Sequence, residues 1–182
     1  MRNLIPDLEK LGLNSSKQLK RSGSINASVL FVDISGFTAM TRKLMEQGKE
    51  GAEILSKFMN VLFDPLIDAV YSHGGFITNF AGDAFTAVFR NDKGVQAVGA
   101  AAEIRSFFLS NPVLENRGWS FKVSSKAGIS KGRLNWILAE ADGIEHFLFF
   151  GNVVDEAAMA EHRCTGNTIC IDRKVLTSLG DQ

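Results

Sequence analysis

The spacing of hydrophobic residues predicts a buried strand followed directly by a helix near the start of the chain. Residues 28–32 are rich in β-branched and aromatic side chains, and Asp33 follows them at the carboxyl end of the strand. Residues 34–36 then form a turn, and residues 37–44 have helical spacing. The first N–H groups of a helix have no partner within the helix and can bind an anion. The stretch 31–40 therefore predicts an edge where the Asp33 carboxylate holds a cation beside an anionic ligand.

A second acidic residue lies on a predicted hairpin. Residues 76–89 have the pattern of two short apolar strands that break at Gly82 and Asp83, and such a pair is typical of a tight turn. If these strands pair beside the strand that ends at Asp33, both carboxylates lie at one edge of the sheet. Two carboxylates with bound phosphates suit a magnesium ion. The alternatives are that Asp33 caps a helix and that Asp83 is an ordinary turn residue.

Helical stretches follow the first turn, at residues 37–47 and 49–72. In the second stretch, apolar residues recur with the period of a helix that lies on a sheet, and Pro65 predicts a bend or a restart. The alanine-rich residues 94–109 predict another helix, and residues 112–118 predict a loop. The chain therefore has enough helix to cover a sheet.

The second half of the chain has the pattern of strands. Residues 120–128 and 132–139 predict a long hairpin with its turn near residues 130–132. The charged residues 140–145 predict a loop before a further strand at residues 146–150. The order of strands and helices along the whole chain predicts an α/β (α+β) fold with a mixed, mostly antiparallel sheet and flanking helices.

Length and charge narrow the classes of function. The 182 residues suit one folded domain, with residues 1–27 as an amino-terminal segment or linker and residues 28–182 as the domain. The 20 basic and 20 acidic residues cancel, so net charge gives no general affinity for nucleic acid or a membrane surface. The apolar runs are too short to cross a bilayer. We therefore expect neither nucleic acid nor a membrane as a partner of this chain.

Two features favour a cytoplasmic location. The first ten residues lack the apolar core and the small-residue cleavage site of a signal peptide. Cys164 and Cys170, the two cysteines, have no neighbouring His or Cys pattern of a zinc site. We therefore expect both cysteines to be reduced and structural.

Three motifs occur in an order that resembles one known family. They are FVDISGFTAMTRKL at residues 31–44, the hairpin with FAGDAFTAVF at residues 80–89, and FGNVVDEAA at residues 150–158. Together they resemble the class III nucleotidyl cyclase catalytic domain over about residues 28–179, and most closely the first catalytic half of soluble, bicarbonate-responsive adenylyl cyclases. The resemblance implies a cyclase catalytic domain at residues 28–182, with a ferredoxin-like βαββαβ core.

The resemblance also implies a metal site. In that family two aspartates hold two Mg²⁺ (or Mn²⁺) ions on a nucleoside triphosphate, and the matching residues are Asp33 and Asp83. The Ile34 carbonyl matches a third ligand. A ribose 3′-hydroxyl attacks its own α-phosphate in this reaction, so one ion activates the hydroxyl and the other neutralises the leaving pyrophosphate.

Phosphate binding is implied at two further places. The N–H groups of Gly36, Phe37 and Thr38 match the phosphate-binding turn of the family, and Lys126 matches a basic residue that pairs with the triphosphate. The alternative for Lys126 is an exposed lysine on the opposite face of the sheet.

Four positions depart from the family pattern. Asn79 and Leu148 stand where the family reads the purine base. Asp155 replaces an asparagine that orients the ribose, and Met159 replaces an arginine that stabilises the transition state. An ionised carboxylate donates no hydrogen bond and a thioether offsets no phosphate charge, so we expect the homodimer to be a poor catalyst.

We therefore expect the metal-bearing half of a longer cyclase. It makes cyclic AMP from ATP, in preference to GTP as substrate, when a second cyclase domain in cis or trans supplies the missing residues, or weakly as a homodimer. Trp136 on the second hairpin is expected to support the partner domain.

One alternative is a catalytically silent domain that binds nucleotide or dimerises as a regulatory module. Another is an enzyme with a similar sheet, such as a diguanylate cyclase or a polymerase, although the GGDEF sequence of the former is absent.

Overall fold

Eight strands and five helices make up the part of the chain that the structure, a computed structural model, describes: residues 21–141 and 144–180. The strands are β1 Ser22–Ser35, β2 Phe76–Ala81, β3 Ala84–Arg90, β4 Val113–Asn116, β5 Trp119–Lys122, β6 Ser124–Ala141, β7 Ile144–Phe150 and β8 Thr168–Ile171. The helices are α1 Phe37–Met45, α2 Gly48–Ser72, α3 Val95–Ser110, α4 Asn152–His162 and α5 Arg173–Gly180.

One large sheet organises these elements. Its strand order is β2-β3-β1-β6-β7, with antiparallel neighbours, and β8 pairs in parallel with β6 along residues 126–129. The strands β4 and β5 form a separate hairpin. The expected α+β fold with a mixed, mostly antiparallel sheet is confirmed.

Helices cover both faces of the large sheet. Leu30, Val32 and Ile34 of β1 point to one face and join a buried core with α1, α2 and α3. Val29 points to the other face and packs with residues of α4. Because side chains alternate along a strand, Asp33 lies on the α4 face, in line with Val29. The helices among the described residues include none long and apolar enough to span a bilayer.

The first strand starts earlier than its hydrophobic pattern predicts. It begins at Ser22 rather than Ser28, because its polar first half pairs with β6 from Ser22 opposite Ile137 onward. Gly23 lies directly under the Trp136 ring, where a Cβ atom would be 2.9 Å from the indole carbons. Residues 22–27 of the predicted linker are therefore strand, and residues 1–20 lie outside the described part of the chain.

The predicted second hairpin is wrong. Residues 124–141 form the single strand β6, because its middle residues pair with β1 instead of turning: Ser130 lies opposite Val29, and Gly132 opposite Ala27. The hairpin lies further on, where β6 and β7 pair as far as Ala141 and Ile144.

Three smaller predictions also need correction. Helix α2 continues through Pro65 without a restart, and its buried side chains on both sides of the proline pack into the same core. The predicted loop at residues 112–118 contains β4. Trp136, expected to support a partner domain, is only 3% exposed and contacts Phe147 with ring centroids 6.0 Å apart.

The two cysteines are joined. Cys164 follows α4 and Cys170 lies in β8, with their Cα atoms 5.9 Å apart, and the structure pairs them as a disulfide. The expectation of two reduced thiols is therefore corrected. No local sequence pattern indicates the pairing, because it depends on β8 lying beside β6, close to the end of α4.

Helix α4 lies unusually close to β6, because a glycine removes the side chain between them. A Cβ atom on Gly128 would be 2.1 Å from the carbonyl oxygen of Ala157 and 2.2 Å from the backbone nitrogen of Glu161. Both are backbone atoms of a packed helix, so no side-chain rotation can relieve the overlap. The position of α4 on the sheet therefore depends on Gly128.

We expect Gly128→Ala to lower the free energy of unfolding by about 3 kcal/mol, the upper end of the usual effect of overpacking. The matched control is Gly132→Ala on the same strand, where a Cβ atom would meet Val153 at an ordinary 3.5 Å. Urea unfolding of both variants measures the difference. Equal stability of the two variants would contradict the close packing at Gly128.

Candidate functional site

Strand pairing brings the two predicted aspartates to the same edge of the sheet. Asp33 in β1 lies opposite Ala84, the residue after Asp83. The N–H group of Ile34 donates a hydrogen bond to the Asp83 carbonyl oxygen at 3.0 Å, which ties the hairpin tip to the end of β1. The predicted juxtaposition of the two acids at one edge is therefore what the structure shows.

The turn after β1 delivers the amino terminus of α1 to this edge. Gly36 has φ 95°, and a Cβ atom there would be 2.2 Å from the Lys122 carbonyl oxygen, so the turn requires glycine. The first helical hydrogen bond runs from the Met40 N–H to the Gly36 carbonyl oxygen at 3.1 Å. The N–H groups of Phe37 and Thr38 precede it in the first turn, where a helix leaves its donors free for a ligand.

A side-chain contact links this helix to the hairpin. The Thr38 hydroxyl donates to the Oδ2 atom of Asp83 at 2.5 Å. The sequence predicts a role only for the backbone N–H of Thr38, and no local signal indicates that its side chain reaches an acid 45 residues away. The bond orients the Asp83 carboxylate at the edge.

Lys126 lies on the same face as the acids and not on the opposite face. It is directly opposite Asp33 on β6, with its Nζ atom 3.4 Å from Asp33 Oδ2. The same Nζ atom lies 2.6 Å from Oε1 of Glu161 on α4. The close contact of the ammonium with the Glu161 carboxylate, which accepts from it, raises the pKa of Lys126 above its ordinary value; partial burial opposes this, and attraction to Glu161 and Asp33 adds to it. Lys126 is therefore a cation at neutral pH.

Glu161 is the residue of the site that sequence reasoning missed. It is 6% exposed, in a stretch of α4 whose sheet-facing neighbours Ala157 and Ala160 are small and buried. A lone glutamate in such a stretch is a weak signal, because its partner Lys126 lies on another element 35 positions earlier. Only the packing of α4 on Gly128 joins the two.

The donor atoms of the edge fit a hard divalent cation. Asp33 and Asp83 supply carboxylate oxygens, and the Ile34 carbonyl points toward the hairpin, since the N–H and C=O groups of a strand residue face the same neighbour. Within residues 21–141 and 144–180, no group of three or more His, Cys, Asp or Glu forms a metal cluster. Two carboxylates suffice for Mg²⁺, which keeps several waters and is commonly completed by substrate phosphates.

The four positions that depart from the family pattern lie on exposed surfaces. Asn79 is exposed on β2, and Leu148 is 53% exposed on β7. Asp155 and Met159 are one turn apart on α4, both exposed, on the side away from the buried residues that pack on the sheet. The fold therefore fixes the acid edge internally and leaves these four side chains free to face another molecule.

Comparison with known sequences identifies the relatives of this chain. The family described as "Adenylate and Guanylate cyclase catalytic domain" matches residues 19–182. Adenylate cyclase type 10 from Homo sapiens is 29% identical over 147 residues, which cover 79% of this chain and 9% of that protein. The protein of that name from Oryctolagus cuniculus is 28% identical over 173 residues, which cover 92% and 11%. The chain thus spans about a tenth of the length of these curated relatives.

Solved structures share the fold. The adenylyl cyclase CyaB from P. aeruginosa superposes with a TM-score of 0.67 at 22% identity, covering 89% of this chain and 84% of that one. The guanylate cyclase domain of RhGC from Catenaria anguillulae, solved in complex with GTP, gives 0.69 at 16% identity, covering 86% and 84%. The resemblance to class III nucleotidyl cyclase catalytic domains is confirmed.

We expect Lys126→Met to lower the free energy of unfolding by about 3–5 kcal/mol at pH 7, because it leaves the buried Glu161 without its partner. The matched control Lys174→Met removes an equally short bond to Glu156, but that pair is more exposed, so the loss is about 1 kcal/mol or less. Chemical unfolding of both variants measures the two losses.

The Lys126 effect has a defined pH dependence. Because folding raises the pKa of Lys126, its stabilisation is fully present below the ordinary lysine pKa, about 10.4, and is lost as the pH rises through the folded value. The gap between wild type and Lys126→Met therefore stays constant from neutral pH to about pH 10 and narrows above it. A gap that narrows already between pH 7 and pH 9 would contradict this assignment.

Proposed function

The chain belongs to the family of adenylate and guanylate cyclase catalytic domains, and from this premise we propose that it is the metal-binding half of an enzyme that converts ATP to cyclic AMP and pyrophosphate. One observation carries the proposal: Asp33, Asp83 and the amino terminus of α1 meet at one sheet edge, with the Lys126 ammonium beside them. This arrangement supports a cation site on the carboxylates, next to N–H and ammonium donors for phosphate.

The carboxylates and one carbonyl have the metal-binding role. Asp33, Asp83 and the Ile34 carbonyl would hold Mg²⁺ or Mn²⁺, two ions when nucleotide is present. Bound there, the ions would supply positive charge that acidifies the ribose 3′-hydroxyl and neutralises the triphosphate. The bond from Thr38 keeps the Asp83 carboxylate turned toward this edge.

Two sets of donors bind the phosphates. The N–H groups of Gly36, Phe37 and Thr38, at the positive end of the α1 dipole, donate hydrogen bonds to the phosphate oxygens. The Lys126 ammonium provides a second positive group beside Asp33. The 3′-hydroxyl attacks the α-phosphorus, its proton leaves to solvent or a nearby base, and the bond to pyrophosphate breaks.

A second domain completes the site. The residues that read the base and orient the ribose are replaced by Asn79, Leu148 and Asp155, and the transition-state arginine by Met159. All four are exposed, so a cyclase domain in cis or trans can lie against them. ATP is preferred over GTP in this proposal because the curated relatives described above are adenylate cyclases.

The same four replacements support one alternative. A domain without base-reading and transition-state residues can bind nucleotide and metal, or dimerise, without turnover, and would then act as a regulatory module. Binding of nucleotide and metal belongs to both proposals, whereas cyclic AMP formation with a complementary half belongs only to the first.

We expect Asp33→Asn to weaken Mn²⁺-dependent binding of a nonreactive ATP analogue by at least about 100-fold, since changes even one shell outside a metal weaken it by roughly 10–100-fold. Isothermal titration with the analogue and Mn²⁺ measures this. The control is Asp64→Asn, the same substitution at an exposed position of α2, which leaves the affinity unchanged. Analogue binding that ignores Asp33 would refute the metal site.

We expect the double variant Asp155→Asn with Met159→Arg to raise cyclic nucleotide formation by the isolated domain roughly 100-fold or more, because the first change restores an amide that orients the ribose and the second a guanidinium that offsets developing charge. Adding Asp33→Asn to this double variant should abolish the gain. A double variant that binds the ATP analogue normally and remains without turnover would favour the silent module.

A further inference from the structure

Glu161 is a buried carboxylate that the proposed reaction does not use. It is 6% exposed, and its Oε1 atom contacts the Lys126 Nζ atom at 2.6 Å. A buried charge is strongly destabilising unless it is paired. Its partner is the same lysine that lies beside the proposed metal ligand Asp33. The arrangement therefore couples a residue of α4 to the metal edge.

The backbone fixes Glu161 in this place. The N–H of Glu161 lies over Gly128, two positions beyond Lys126 on the same face of β6. The Glu161 carbonyl oxygen accepts a hydrogen bond from the Cys164 N–H at 2.8 Å. The carboxylate therefore approaches Lys126 from a rigid position, and the flexible lysine is the member of the pair that adjusts.

The two carboxylates compete for one ammonium group. Lys126 is the cross-strand neighbour of Asp33, a position from which a direct ion pair would readily form. The Nζ atom instead makes its closer ion-pair contact, 2.6 Å, with Glu161 Oε1 and lies 3.4 Å from Asp33 Oδ2. Glu161 thus takes the strong contact and leaves the weaker one to Asp33.

This competition matters because a cation needs the Asp33 carboxylate. An ammonium group bonded tightly to Asp33 would occupy an oxygen and oppose a divalent ion through charge repulsion. If the ammonium group were moved away from the site altogether, the phosphates would lose a positively charged partner. An ammonium group that lies beside Asp33 but makes its closer ion pair with another carboxylate avoids both outcomes.

We propose that Glu161 is a positioning residue that draws the Lys126 ammonium away from Asp33, so that the Asp33 carboxylate stays free for a divalent cation while the ammonium remains beside it for the triphosphate. The inference rests on the proposed function, in which Asp33 binds the metal. Glu161 itself touches neither metal nor nucleotide.

The test is Glu161→Gln, which keeps the shape of the side chain and removes its charge. Without the carboxylate, Lys126 moves onto Asp33, and Mn²⁺ affinity, measured by titration in the presence of a nonreactive ATP analogue, falls about 10–100-fold. The matched control is Glu156→Gln on the same helix, which loses an equally short 2.6 Å lysine contact outside the site and keeps its Mn²⁺ affinity.

A double-mutant cycle separates positioning from a purely structural role. In the Lys126→Met background, Glu161→Gln should no longer change Mn²⁺ affinity, because the group through which it acts is gone. A Glu161→Gln variant that melts earlier but binds Mn²⁺ like wild type would overturn the proposal, as would an equal effect with and without Lys126. If Glu161→Gln fails to fold, Glu161→Asp keeps the charge but withdraws it by one methylene, and should weaken Mn²⁺ binding in the same direction.

Failure of the proposed function gives a different result. A wild-type domain that binds neither Mn²⁺ nor the analogue would refute the function, and crystal structures would then decide the inference. A Lys126 Nζ atom within hydrogen-bond distance of Asp33 in Glu161→Gln, and not in wild type, supports it. An unmoved ammonium group in the variant overturns it.

Discussion

The backbone pairing of β1 on both of its sides is the constraint on which the site depends. One neighbour, β3, places the hairpin tip at Asp83 against the end of β1, and the other, β6, places Lys126 opposite Asp33. The register of both pairings is fixed by the alternation of buried side chains, since a shift by one residue would turn Leu30 and Val32 out of the core. Hydrophobic burial thus sets the positions of charged groups that contribute little to the core themselves.

The charges of Asp33, Lys126 and Glu161 at this edge depend on one another, so a substitution of one affects the other two. Lys126 lies between two carboxylates, and the more buried of them, Glu161, has the shorter contact. Loss of the lysine leaves a buried anion, and loss of Glu161 redirects the lysine. The close approach of α4 over Gly128 is what makes this three-charge arrangement possible, so a packing feature of the sheet and an electrostatic feature of the site have the same cause.

Local patterns predicted the parts of the site that depend on neighbouring residues. The strand that ends at Asp33, the turn at Gly36 and the hairpin at Asp83 all follow from residues adjacent in sequence. The hairpin prediction for residues 120–139 failed because a small residue there is required by tertiary packing and not by a turn. Gly132 resembles a turn signal, yet it lies with Gly128 in one continuous strand, and Gly128 is the glycine that admits α4. Glu161 was not predicted as a site residue, because only the packing of α4 on the sheet brings Lys126 next to it.

The fold also distinguishes residues whose identity is explained by stability from residues whose identity indicates function. Asn79, Leu148, Asp155 and Met159 are exposed, so their replacement leaves the core intact. Asp33, Lys126 and Glu161 are electrically coupled, so their presence together is explained partly by stability. Asp83 has neither explanation. It is half-buried at a hairpin tip, its side chain bonds only to the Thr38 hydroxyl among the contacts described, and an asparagine or glycine would serve such a turn as well. A carboxylate there adds negative charge beside Asp33, which favours the cation that both acids would share.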